Sequence, residues 1–127
     1  MAVIAYTKVE TGWPSPVVLL YEWAAMHQGD TGAPIRLPYN ADIGVQIVGG
    51  DVGGGTTVAW EGTLQEITTP TVYGTCHKVD GTPMVQSSVG TLDQVLERAL
   101  QYRPDITSGG ASTSVTVRLI ATKQWKD

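Results

Sequence analysis

Alternation of apolar with polar residues predicts that this chain of 127 residues is built from short β-strands. Successive side chains of a strand point to opposite faces, so alternation is typical of a strand with one buried face. The clearest strand runs from Thr113 to Ala121, where Val and Leu alternate with Ser, Thr and Arg. Val17–Trp23 is apolar on both faces, which predicts a strand covered by the core on one side and by a partner on the other. Shorter strands are predicted at Ala2–Tyr6, Ile35–Leu37 and Thr71–Cys76.

A glycine-rich stretch, Gly49–Gly55, separates two alternating segments. Before it, Ile43, Val45 and Ile47 share one face, and after it Thr56–Trp60 resumes the pattern. Glycine adopts conformations with positive φ that other residues avoid, so such a run marks a change of chain direction. The sequence therefore predicts either a β-hairpin or a corner at which the chain passes from one sheet to the other.

One segment, residues 91–100, carries a helix signal. Thr91 with Gln94 three residues later resembles a capping box. The apolar residues that repeat at helical spacing are Leu92, Val95, Leu96, Ala99 and Leu100. The segment is short and Pro104 follows it, so at most one short helix is expected there.

Together these patterns predict an all-β fold, a two-sheet antiparallel sandwich. Short strands recur along the chain without the strand-helix-strand rhythm of a parallel sheet, and 15 glycines supply turns. An immunoglobulin-like and a jelly-roll topology both fit. A chain of this length fits one domain. We expect an extended N-terminal arm over residues 1–16, the sandwich over residues 17–122 and a polar C-terminal tail over residues 123–127.

The charge balance argues against a nucleic-acid partner. The net charge is −4, and the eight Lys and Arg residues are scattered, whereas phosphate binding needs them clustered. No apolar run approaches the ~20 residues that span a bilayer, and the N-terminus lacks the features of a signal peptide. We therefore expect no membrane partner and folding in a cytoplasm. Cys76 is the single cysteine, so the chain forms no intrachain disulfide.

Two groups of polar residues are candidates for chemistry. Cys76 and His77 with Asp80 could supply a nucleophile and its base, but adjacent strand residues point to opposite faces, which favours a buried cysteine beside a surface histidine. His27 and Asp30 could bind a metal ion, but their Gly-rich surroundings favour solvated turn residues.

The glycine-rich stretch suggests a phosphate cradle, yet it lacks the Lys-Ser/Thr pair and the helix of a P-loop. Asp51 lacks the further oxygen ligands of a Ca²⁺ site. The five glutamates show no spacing that pairs two carboxylates. We expect no catalytic residue, no metal and no cofactor.

Tryptophan is abundant, with four residues and no phenylalanine. Trp60 lies on an alternating strand and is expected in the core. Trp13 in a proline-rich turn and Trp125 in the tail are expected to be half-exposed, which favours a protein interface. Tryptophan also lines sugar-binding surfaces, so carbohydrate binding remains an alternative.

Two stretches of the chain combine alternating strands with glycine-rich turns: VQIVGGDVGGGTTVAWEG, Val45–Gly62, and YRPDITSGGASTSVTVRL, Tyr102–Leu119. Together they resemble small virion proteins of tailed bacteriophages. With flanking elements the resemblance covers Gln28–Ala121. After Gly62 the chain has Thr63–Glu66 where that family has a Ser-Asn-Asp-Gly turn and a tryptophan, so this connection is rebuilt here. The family is extended where the helix signal occurs, which favours a loop with one helical turn before a strand at Tyr102.

The resemblance implies a non-enzymatic capsid decoration or cement protein. Such a protein is made in the cytoplasm of a bacterial host and binds the outside of the capsid across neighbouring major capsid subunits, and we expect it to associate with itself as a dimer or trimer. The alternatives are a neck, tail or fibre component of the virion, or a non-viral carbohydrate- or protein-binding module. The expected interface residues are Ile4, Tyr6, Trp13, Trp23 and Trp125.

Overall fold

The computed structural model describes residues 2–9, 18–37 and 41–123, and among these residues it contains strands and no helix. The strands form one seven-stranded and one five-stranded sheet, which confirms the predicted all-β, two-sheet sandwich. The strands are β1 Val3–Ile4, β2 Tyr6–Val9, β3 Val18–Met26, β4 Thr31–Gly32, β5 Ile35–Arg36, β6 Ala41–Asp51, β7 Thr57–Thr63, β8 Gly74–Thr75, β9 Val85–Gln86, β10 Leu92–Val95, β11 Gln101–Ser108 and β12 Ser114–Lys123. Within the described ranges no helix has the length and apolar character needed to cross a membrane.

The two sheets are mainly antiparallel. The five-stranded sheet has the order β10-β6-β12-β3-β2. The seven-stranded sheet has the order β1-β4-β11-β7-β8, with β5 also beside β11 and β9 also beside β7. Among the pairs of described strands, β1 and β4 alone run parallel. The long central strands β6, β12, β7 and β11 therefore form the frame on which shorter strands and loops are placed.

Alternation along the central strands decides which residues form the core. Val115, Val117 and Leu119 of β12 are fully buried, as are Ile47 and Val45 of β6, which lie opposite Val117 and Leu119, so the predicted faces of both strands are confirmed. The rings of Trp23 and Trp60 meet edge to face between the sheets, with centroids 5.7 Å apart. Trp60 is buried as predicted.

Both buried indole N–H groups have acceptors. The Trp23 Nε1–H donates to the Ala33 carbonyl oxygen at 2.9 Å, and that of Trp60 donates to Gln86 Oε1 at 3.1 Å. Burying a tryptophan is favourable when its one polar group keeps a hydrogen bond. The two rings can therefore fill the centre of the sandwich.

The outer face of β3 carries Val18 and Leu20 beside Glu22 and is only partly covered. Leu19, Tyr21 and Trp23 point into the core, while Val18 and Leu20 are half-buried on the other face. The expectation that a partner covers this second face stays a prediction.

The predicted helical turn in residues 91–100 is wrong. Residues 92–95 form β10, which pairs with β6 in the register Leu92↔Gln46 to Val95↔Ile43. The apolar residues at helical spacing do not share a buried face, because Val95 is buried whereas Leu92 is 68% and Leu96 54% exposed. A short isolated helix is marginal, and pairing with the edge of β6 provides the backbone hydrogen bonds instead.

The ends of the chain partly differ from the arm and tail that were expected. Residues 3–4 pair with β4 in one sheet and residues 6–9 pair with β3 in the other, so the predicted strand at Ala2–Tyr6 is divided at Ala5. Residues 10–16 and 124–127 lie outside the described residues. The predicted strand at Thr71–Cys76 is limited to β8, and that at Ile35–Leu37 to β5.

Candidate functional site

The glycine-rich stretch is a corner between the sheets and not a hairpin. The strand before it, β6, belongs to the five-stranded sheet, and the strand after it, β7, belongs to the seven-stranded sheet. Gly50 has φ +110°, and a Cβ there would lie 2.0 Å from the Ser114 carbonyl oxygen. Gly54 has φ +80°, and a Cβ there would lie 2.7 Å from the Gly110 nitrogen. Two of the glycines are therefore required both by backbone conformation and by the close approach of a neighbouring chain segment.

The polar groups of this corner are used within it. The hydroxyls of Thr56 and Thr113 lie 2.8 Å apart, and each is within 3.1 Å of the Gly53 carbonyl oxygen. The Gly110 N–H donates to the Thr113 hydroxyl, and the Gly53 N–H donates to Asp51 Oδ1 at 2.8 Å. We call Thr56, Thr113 and the Gly53 carbonyl the threonine clasp. It ties the corner to the turn between β11 and β12 without a ligand.

The residues considered as a nucleophile and its base do not act as a pair, because Cys76 is buried while His77 and Asp80 have other hydrogen-bond partners. Cys76 is buried as predicted, and its burial, with Glu97 and Glu61 nearby, raises its pKa to about 12. The thiol therefore stays protonated at neutral pH and is a poor nucleophile. His77 pairs through its ring Nδ1 with Glu97, and Asp80 accepts hydrogen bonds from the Thr82 N–H and hydroxyl.

His27 and Asp30 lie in a turn, as the sequence favoured, but His27 is solvated whereas Asp30 is not. Asp30 is buried and accepts hydrogen bonds from the His27 N–H at 2.8 Å and from the Ala2 N–H at 3.0 Å. The His27 ring lies 3.5 Å from the same carboxylate. Across the part of the chain that the structure describes, no group of three or more His, Cys, Asp and Glu is placed to hold a metal ion.

A groove beside β8 has a volume of about 540 Å³. Its floor is formed by Gly62, Gly74 and Cys76. One wall is the segment 63–72, which presents Leu64 and Val72, and the other is the segment 97–99. Leu64 is 73% and Val72 66% exposed, so the rim of the groove is apolar. We call this feature the β8 groove.

Hydrogen bonds hold the wall formed by residues 97–99. Glu97 accepts from the His77 N–H at 2.6 Å and pairs with the His77 ring. The Tyr102 hydroxyl accepts from the Ala99 N–H at 2.8 Å and donates to the Glu97 carbonyl oxygen at 2.9 Å. Burial raises the pKa of Tyr102, so this hydroxyl keeps its proton and both bonds at neutral pH. The wall is therefore fixed to the sandwich from two sides.

The opposite wall is held in the same way. The side-chain oxygen of Gln65 accepts from the Thr71 and Val72 N–H groups, both at 2.8 Å. The side-chain nitrogen of Gln101 donates to the carbonyl oxygens of Gln65 and Ile67. The groove is therefore preformed, although it has no regular secondary structure along most of its rim.

Of the expected interface residues, the structure describes three. Trp23 is fully buried in the core and has no surface to offer a partner, so its placement at an interface is wrong. Tyr6 is 40% exposed, and its ring packs 5.5 Å from that of Tyr21. Ile4 is half-buried against the core. The other two, Trp13 and Trp125, lie outside the described residues.

Pairing of β7 with β11 creates a charged cluster that sequence spacing did not indicate. Arg103 Nε donates to Glu61 Oε1 at 2.9 Å, and its guanidinium lies 3.7 Å above the Tyr73 ring. Burial and the neighbouring Glu61 raise the pKa of Asp105 above its usual value. Arg103 lies opposite Glu61 in the antiparallel register of the two strands. Only this register brings the two residues together, so their spacing in the sequence could not reveal the pair.

A comparison with models of known protein families and one with curated proteins give no match for this chain.

Proposed function

We propose that this chain is a non-enzymatic structural protein of a tailed-phage virion, a cement protein that binds the outside of the capsid across neighbouring major capsid subunits and stabilises it. The support is the resemblance of two stretches to phage virion proteins, combined with the way these stretches pair in the fold. Self-association as a dimer or trimer at the symmetry axes of the shell is part of the proposal.

The observation that carries the proposal is that the two similar stretches form one structural unit. In the five-stranded sheet β12 pairs with β6, with Leu119 opposite Val45. In the seven-stranded sheet β11 pairs with β7, with Pro104 opposite Trp60. The threonine clasp joins the two turns of this unit. If the likeness were due to chance, the similar strands would not have to pair with each other. If it reflects a shared assembly scaffold, these strands are expected to pair.

The physics of a cement protein is compatible with this scaffold. A protein that binds only assembled shells stabilises them by mass action, and contacts with several subunits at once add to the effect. Such a role needs a rigid body and surfaces that remain available for binding. The threonine clasp and the fixed walls of the β8 groove supply rigidity, and the exposed apolar residues supply the surface.

Thermal disassembly of phage heads tests the stabilising role. Heads of the phage that encodes this chain would be purified from cells with and without its gene and heated while released DNA is followed by dye fluorescence. We expect heads without the protein to release DNA at a lower temperature, and added purified protein to restore the release temperature. Equal release temperatures for the two preparations would overturn the stabilising role.

A further inference from the structure

We infer that the β8 groove binds an extended, apolar segment of the major capsid protein, which adds as a strand to the outer edge of β8. This inference rests on the proposed function, because that function names the partner. In such binding, main-chain hydrogen bonds along the sheet edge supply affinity, and alternate side chains of the added strand enter a pocket.

The outer edge of β8 presents main-chain N–H and C=O groups that point away from β7. The Cys76 N–H donates to the Trp60 carbonyl oxygen at 3.0 Å, so the main chain at Cys76 points toward β7. Successive residues of a strand direct these groups to alternate sides, so the N–H and C=O of Thr75 point away from β7. In the described residues β8 ends its row of the seven-stranded sheet. Thr75 is exposed and therefore accessible to an added strand.

The floor of the groove leaves room for the side chains of that strand. Gly62 and Gly74 lie opposite each other, and Ala99 lies close over Gly62, so the free space is above Gly74. A Cβ built on Gly74 has its nearest neighbour, the Gly62 carbonyl oxygen, at 4.0 Å. Around this floor Leu64 and Val72 are largely exposed, so an apolar side chain of the partner would bury apolar surface on both molecules.

The second apolar surface of the molecule lacks an equally accessible edge beside its depressions. On the outer face of the five-stranded sheet, shallow depressions are lined by Leu20, Leu92 and Ile120. The edge strand nearest to Leu92, β10, is already bridged at Val95 by Lys78, and the next N–H, that of Leu96, donates to the His77 carbonyl oxygen. An extended segment therefore fits the β8 groove better than this face.

The fixed walls also favour binding. Hydrogen bonds hold both walls. Glu97, Tyr102 and Gln65 accept from backbone N–H groups, and Gln101 donates to a backbone carbonyl oxygen. A site that is already ordered loses less conformational entropy when it binds than a loop that must first be ordered. The groove therefore needs no rearrangement to accept a strand.

Three substitutions test the inference on separate features of the groove. Gly74→Leu fills the floor, at a position where a Cβ meets only ordinary contacts. Thr75→Pro removes the outward N–H without removing a hydrogen bond to β7, and proline is tolerated on an edge strand. Val72→Glu replaces an exposed apolar rim residue by a charged one. Thr75→Ala is the matched control, because it keeps the N–H.

The measurement is binding to empty shells assembled from the major capsid protein of the phage that encodes this chain. Binding would be followed by co-sedimentation over a range of protein concentrations, after circular dichroism and thermal melting have shown which variants fold. We expect the native chain and Thr75→Ala to bind alike, and each groove variant that folds to bind at least about tenfold more weakly, a loss of about 1.4 kcal/mol in binding free energy.

The outcomes separate the two proposals. If the native chain binds shells and the folded groove variants bind with the same affinity, the groove inference is overturned while the cement function stands. If the native chain does not bind shells, the cement function fails and the groove inference fails with it. Val72→Glu keeps the test decisive if Gly74→Leu does not fold, because Val72 is exposed and its replacement leaves the core unchanged.

Discussion

The sheet-to-sheet corner and the β8 groove are both shaped by glycines and loops, but they use their polar and apolar groups in opposite ways. At the corner, the Gly53 carbonyl, the Asp51 carboxylate and the threonine hydroxyls all bind to each other or to neighbouring backbone. At the groove, hydrogen bonds hold the walls while Leu64 and Val72 remain exposed. A conspicuous glycine motif can thus be a purely structural device, whereas a groove with an exposed apolar rim can arise from loops that contain no motif.

The largest effect is expected from adding a side chain at Gly50 in the corner. Gly50→Ala combines a positive φ with a Cβ 2.0 Å from the Ser114 carbonyl oxygen, so the chain must move. We expect a loss of more than about 3 kcal/mol in the free energy of unfolding, because left-handed strain and a backbone clash add. Chemical denaturation measures this loss.

Gly55→Ala is the matched control in the same corner. Gly55 has φ +73°, but in the described structure a Cβ there would meet no atom within 4 Å. We therefore expect a loss of only about 1 kcal/mol, from backbone strain alone. Equal losses at Gly50 and Gly55 would contradict this account. They would show that Gly50 is not required by the close packing of the corner against the start of β12.

A smaller effect is expected from the threonine clasp. Thr56→Val keeps the shape of a buried side chain but removes its hydroxyl, which leaves the Thr113 hydroxyl and the Gly53 carbonyl with fewer partners. We expect a loss of about 1–3 kcal/mol, the usual cost of unsatisfied buried polar groups. In a double-mutant cycle with Thr113→Val the losses should be less than additive. Additive losses would mean that the two hydroxyls do not act together.

A further, smaller effect is expected from the hydrogen-bonded wall of the groove. Burial raises the pKa of Glu97, but the hydrogen bonds with the His77 N–H and ring lower it by more. The net result is a pKa below the ordinary value of 4.5. A carboxyl whose pKa is lowered by folding stabilises the fold above its unfolded pKa, and this stabilisation is lost as the pH falls through the folded pKa. Glu97→Gln should therefore flatten the loss of stability between neutral and acidic pH.

Because Glu97 is partly exposed, we expect its substitution to cost about 1 kcal/mol or less at neutral pH. Thiol labelling of Cys76 gives a second readout, since this buried thiol lines the groove behind the Glu97 wall. Labelling should be faster in Glu97→Gln than in the native chain. An unchanged labelling rate together with an unchanged pH profile would show that this hydrogen bond does not hold the wall.

The smallest effect on folding is expected at the rim of the groove. Val72 is largely exposed, so Val72→Glu should change the free energy of unfolding by no more than about 0.5 kcal/mol. Thermal melting measures the change. A large loss of stability would mean that the rim contributes to the core, and that the groove differs less from the corner than the structure indicates.

The sequence was sufficient for the fold class and the core because alternation reports directly on burial. Ile43, Val45 and Ile47 share a buried face, as do Val115 and Leu119. It was not sufficient for β10, because the helical spacing of five apolar residues is outweighed by pairing with β6. It also left the choice between hairpin and corner open, since glycines report a change of direction but not the sheet to which the next strand belongs.

The candidate site was beyond the reach of sequence patterns. The β8 groove depends on Gln65 and Gln101, whose side chains bind backbone groups far away in the chain, and such contacts have no periodicity. The prediction for one tryptophan was wrong, because Trp23 was expected at an interface but lies between the sheets against Trp60. What sequence and structure support together is a scaffold; its role in a virion stays a proposal.

The copy number of this protein in purified virions tests that central proposal most directly. It would be measured by quantitative mass spectrometry of particles, with the major capsid protein as the internal standard. A cement protein that occupies equivalent sites across the shell should be present in on the order of hundreds of copies. About six or twelve copies, the number that a ring at the neck or tail would hold, or none at all, would contradict the account.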